Sequence, residues 1–123
     1  MAHLEFHMSD SPDTAAYWEA LNTFVRHYHI GPDERGLYHF DADISFRSLR
    51  DVDQRTRVYI SLDHNAVSPL RFAEHGELNP VYVHTEFRPG NNAVKFDNQE
   101  LQITGTSPKL GRFTVRITPL ETP

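Results

Sequence analysis

Leu4, Phe6 and Met8 alternate with His3, Glu5 and His7, the period of a half-buried strand over residues 2–8. The rhythm then changes. Ser11 is a side-chain acceptor suited to cap a helix, and Pro12 fits a first helical position, where no backbone donor is needed. Beyond it Trp18, Leu21, Val25 and Tyr28 fall on one helical stripe that Tyr17 and Phe24 widen. Gly31 supplies a left-handed terminator and Pro32 cannot continue, so the pattern predicts a helix over residues 12–30.

After the polar turn between Gly31 and Gly36 the period becomes two. Tyr38, Phe40, Ala42, Ile44 and Phe46 face one way, and Leu37, His39, Asp41, Asp43, Ser45 and Arg47 the other, which predicts a long strand covered on one face. The same alternation predicts strands at 57–63, 81–88, 92–97, 100–104 and 112–118. Pro89 to Asn92, the tight Asn98-Gln99 pair and the stretch from Gly105 to Gly111 have the composition of hairpin connections, so the sheet is expected to be mainly antiparallel. The segment from Asp63 to Pro80 is too long for a featureless loop. Within it, Ser68 to Gly76 reads as a cap, a turn or two of helix pinned by Leu70 and Phe72, and a glycine stop. Thr118 to Pro123 reads as a short tail.

One long helix striped on one side, followed by strands, predicts a single α+β domain over residues 1–123: the helix packed on a curved, mainly antiparallel sheet of about five to seven strands. A β-sandwich or small barrel with the helix plugging one end is the alternative. In the first architecture the helix covers one side of the sheet. The other side then presents His39, Asp41, Asp43, Tyr59, Asp63, Tyr82, His84, Glu86, Arg112 and Arg116.

Composition narrows the chemistry. A chain of 123 residues is long enough to bury a conventional core, and the absence of Cys excludes thiol nucleophiles, disulfides, Fe–S clusters and Cys-containing zinc sites. A formal net charge of −5 argues against capture of nucleic-acid backbones, although the eight His make the balance sensitive to acid. All of the twelve cationic residues except Lys95 and Lys109 are Arg, a bias that suits planar anion or aromatic contacts but follows more simply from GC-rich coding. No run of about 18 apolar residues and no cationic, apolar leader occurs, so neither a membrane nor a secretory route is expected, and a cytoplasmic location is.

Few motifs survive inspection. His27 and His29 with Glu34 have the order of a His-x-His…Glu metal site, but residues two apart on a helix point about 200° from one another, so two histidines at a helix C-terminus is the simpler reading. Ser45, Ser48 and Ser61 lack a nucleophile elbow, and the Gly31 to Gly36 turn ends a helix and contains carboxylates, so it does not cradle phosphate. His39, Asp41 and Asp43 project together from one strand, where they could share an ion or a proton with His84 or Glu86. Asp63, His64 and Asn65, with Glu74 and His75, have the composition of turn and cap residues.

No catalytic residue, metal site or cofactor is assigned. The expectation is a non-enzymatic protein-interaction or assembly module, self-associating into a homo-oligomer, that uses the exposed sheet face, an edge strand or the 63–80 loop. Its binding face is His39, Asp41, Asp43, Tyr59, Tyr82, His84, Glu86 and Arg116. The alternative is a small enzyme or ligand-binding protein, metal-dependent or not, with a pocket between helix and sheet lined by His39, Asp41, His84 and Glu86.

Overall fold

The computed structural model describes residues 12–49, 51–66, 69–73, 92–107 and 111–120. Helix α1 runs Pro12–His27. Its predicted stripe is the buried one: Tyr17, Leu21 and Phe24 are fully enclosed, and Trp18 and Val25 nearly so. The helix stops at His27 rather than at residue 30, and its left-handed residue is His29 (φ 55°), not Gly31. The Ile30 amide donates to the Val25 carbonyl (2.9 Å) and the His29 amide to that of Arg26 (3.2 Å), the two bonds of a Schellman ending. Ile30 then folds back onto the core, and this apolar contact closes the helix before the glycine is reached.

Among the described residues six strands follow: β1 (Leu37–Arg47), β2 (Asp51–Ser61), β3 (Leu70–Phe72), β4 (Asn92–Asp97), β5 (Glu100–Ser107) and β6 (Gly111–Pro119). They form one curled sheet in the order β3-β2-β1-β6-β5-β4 with every pairing antiparallel, the α+β architecture expected from the pattern.

Several boundaries differ from the sequence reading, each for a local reason. β2 begins at Asp51 rather than 57, because Gln54 and Thr56 occupy inward positions opposite Ile44 and Ala42 and so hide the alternation. Of the short helix expected at Ser68–Gly76, the described part, residues 69–73, holds strand β3 instead: Leu70 and Phe72 are buried as foreseen, but as two inward residues of an extended segment opposite Ile60 and Val58. Asp63 lies past the end of β2, in a turn where its carboxylate accepts the Asn65 amide (2.9 Å). β5 extends through Gly105, and Thr118 and Pro119 belong to β6, whose line continues as the Leu120 amide donates to the Asp41 carbonyl (2.9 Å). The strands expected at 2–8 and 81–88, the Ser11 cap and the Pro89–Asn91 part of the next turn lie outside the described residues.

α1 lies in the hollow of the sheet and packs chiefly on β4. The Phe24 ring sits 5.3 Å from Phe40 on β1 and 5.8 Å from Phe96 on β4, so one side chain ties both halves of the sheet. The Trp18 indole stacks on His64 in the loop after β2, with ring centres 4.3 Å apart. Burial pushes the Tyr17 hydroxyl up, keeping it protonated. At the other end the Tyr28 hydroxyl donates to the Gln99 carbonyl in the β4–β5 turn. That turn is the expected tight hairpin, with Asn98 (φ 54°) and Gln99 (φ 64°) both left-handed, as a two-residue connection between twisted strands requires.

Candidate functional site

Because α1 fills the hollow, the outward residues of each strand form an open face, and cross-strand register decides which of them meet. β1 and β2 pair along their full lengths, setting Asp41 opposite Arg57, Asp43 opposite Arg55, Ser45 opposite Asp53 and Arg47 opposite Asp51. Two carboxylates two residues apart on one strand thus meet two guanidiniums two residues apart on the next. Arg57 Nε donates to Asp41 Oδ1 at 3.0 Å and Arg55 Nε to Asp43 Oδ1 at 2.9 Å, each with a longer second bond through Nη2. Arg47 reaches Asp53 at 3.1 Å and Asp51 at 3.8 Å. The Arg57 hydrogen bond lowers the Asp41 pKa and raises that of Arg57; Asp43 likewise raises that of Arg55. Surface pairs of this kind add little to stability, but they hold the forks flat and in register.

The face continues onto β6 and β5. Arg116 lies 3.7 Å from Glu100, which also accepts from Gln102 (3.0 Å). Between these groups and the β1–β2 pairs lies an open depression of about 720 Å³, centred near the Ile44↔Gln54 pair and bordered by Asp43, Ser45, Asp53, Arg55, Glu100 and Arg116.

At the other end of the ribbon His39 faces Tyr59, their rings 5.6 Å apart, and Arg71 from β3 lies 5.5 Å over the same tyrosine. His39 also lies 3.5 Å from Asp33 in the turn before β1. Asp33 organises that turn: its carboxylate accepts the amides of Arg35 (2.8 Å) and Leu37 (3.0 Å). The Leu37 amide is the main cause holding its carboxyl below the ordinary range, with the Arg35 amide and the Arg35 and His39 charges assisting. A depressed pKa means stability that is present above the ordinary carboxylate range and lost as pH falls through the lowered one. Asp33→Asn is therefore expected to lower the melting temperature at neutral pH and to approach the unaltered chain as acid protonates the Asp33 carboxylate. A difference between the two that stays constant with pH in thermal melts would refute this assignment.

Of the residues singled out from sequence, His39, Asp41, Asp43, Tyr59 and Arg116 share this face. Tyr82, His84 and Glu86 lie outside the described residues. The carboxylates of Asp41 and Asp43 meet guanidiniums rather than an ion, and no three His, Asp or Glu side chains among the described residues are grouped to hold a metal. His39 and Asp41 also border an open hollow of about 930 Å³ beside Ile30, Phe40 and Leu120, at the margin where β6 ends short of the start of β1. Sequence reasoning missed Arg55, Arg57 and Asp33. The first two carry a signal, Arg-x-Arg set against Asp-x-Asp across a hairpin, which becomes legible once β2 is started at Asp51.

No helix among the described residues is long and apolar enough to cross a membrane. Compared with protein-family models, curated proteins and solved structures, the chain matches none.

Proposed function

We propose that the chain is a non-enzymatic protein-interaction module that receives its partner on the outer face of the sheet. The observation that supports this reading is the β1–β2 ribbon, where guanidiniums fixed by carboxylates, with Tyr59 and His39 at one end, offer both charge signs in a set geometry. Charges already oriented lose little freedom on docking, and a fixed pattern of both signs selects partners and register more than it adds affinity. A small-ligand site has less support: the 930 Å³ hollow is open, and its polar groups His39 and Asp41 are engaged by Asp33 and Arg57.

The test is site-specific photo-cross-linking in the producing cell. A benzophenone side chain replacing Tyr59 or Thr118 on the outer face is expected to give discrete protein adducts. The same group replacing Glu19, exposed on α1, serves as the comparison. Adducts of equal pattern and yield from face and helix would reject the reading.

A further inference from the structure

We infer that the partner is a second copy of this chain, seated on the β1–β2 ribbon about a two-fold axis so that β2 of one copy lies antiparallel over β2 of the other. This rests on the proposed interaction module and names its partner. The outward positions of β2 read Asp51, Asp53, Arg55, Arg57, two negative charges followed by two positive ones. A closed dimer places the same patch against itself, so its pattern must be complementary to its own reversal. This pattern is: reversal about Gln54 sets Asp53 against the partner's Arg55 and Asp51 against the partner's Arg57. On β1 the same operation brings Asp41 over the partner's Arg47 and Asp43 over the partner's Ser45, so no two like charges are opposed on the ribbon.

Exposure and shape favour β2 as the line of contact. Asp51, Asp53 and Arg55 are 69%, 70% and 67% exposed, against 56% for Asp43, 52% for Asp41 and 45% for Arg47 on β1, so three of the four β2 charges stand furthest into solvent, while Arg57, held by Asp41, is 44% exposed. The sheet curls around α1, so its outer side is convex and two copies touch along a strand rather than across the whole sheet. The axis passes the Ile44↔Gln54 level, where the open depression leaves room for the long side chains of two copies to interleave.

Sedimentation equilibrium of the full chain is the test, with Asp53→Arg and Arg55→Asp measured alone and mixed. The unaltered chain is expected to dimerise with rising concentration and less so as salt is raised, because exposed charges are screened. Each variant alone opposes like charges and is expected to weaken the dimer by at least about tenfold. An equimolar mixture restores it, since one copy then carries guanidiniums at both positions and the other carboxylates at both, so that opposite charges meet again across the axis. Circular dichroism checks that each variant is folded; if one is not, the salt dependence of the unaltered chain and the remaining variant still decide. A chain that stays monomeric at every concentration, or a dimer indifferent to Asp53→Arg, overturns the inference. A monomeric chain whose Tyr59 probe still cross-links in cells to a different protein would overturn the second copy alone and leave the interaction module standing.

Discussion

Replacing Trp18 by alanine is expected to lower the unfolding free energy by about 3–5 kcal/mol, the usual loss for truncating a large enclosed aromatic. The indole is 9% exposed, lies 5.9 Å from the Tyr17 ring and is roofed by His64, so its removal strips contacts from α1 and from the loop after β2 together. Denaturant titration read by far-ultraviolet circular dichroism measures it without relying on the lost fluorophore. A loss below about 1 kcal/mol, the size typical of surface changes, would mean that the indole does not face the core.

The second large effect is expected at Gly105. A Cβ there would stand 2.6 Å from Phe113 Cζ and 2.7 Å from Asn92 Nδ2, closer than any packed carbon tolerates. Phe113 is 1% exposed and Asn92 is buried, so neither withdraws into solvent. Gly105→Ala should cost about 1–3 kcal/mol by overpacking, and Gly105→Val more. Gly31→Ala is the contrast: nothing lies within 4 Å of the added carbon and φ is not left-handed, so it should be neutral or stabilise by roughly 0.4–1 kcal/mol. Equal melting temperatures for the two alanine variants would contradict this packing at Gly105.

Long, strongly periodic segments were the legible part of the fold. The stripe of α1 and the eleven-residue alternation of β1 were readable because burial there is decided by apolar residues at regular spacing. The first half of β2 was hidden because Gln54 and Thr56 take inward positions, where register overrides composition. β3 misled because three residues hold too little periodicity to separate a strand from a helical turn, while Ser68, Pro69 and Gly76 supply helix-like punctuation. The end of α1 fell at His29 because closure was set by where Ile30 finds the core, a tertiary fact.

The face itself was half legible. Alternation alone placed His39, Asp41 and Asp43 on one side of β1, but what they do depends on their neighbours across the ladder. Once Arg55 and Arg57 are opposite, the carboxylates become anchors for guanidiniums. Asp33 looked like an ordinary turn residue, which it also is; its contact with His39 needed the chain to double back from the turn into β1.

The seating of α1 on β4 carries a consequence for biosynthesis. The helix is synthesised before β4, the strand that packs on it most among the described ones, which lies after residue 91. Until residues 92–97 emerge, the stripe of Tyr17, Leu21 and Phe24 lacks its β4 cover, and apolar surface left open in this way during synthesis invites association with other chains.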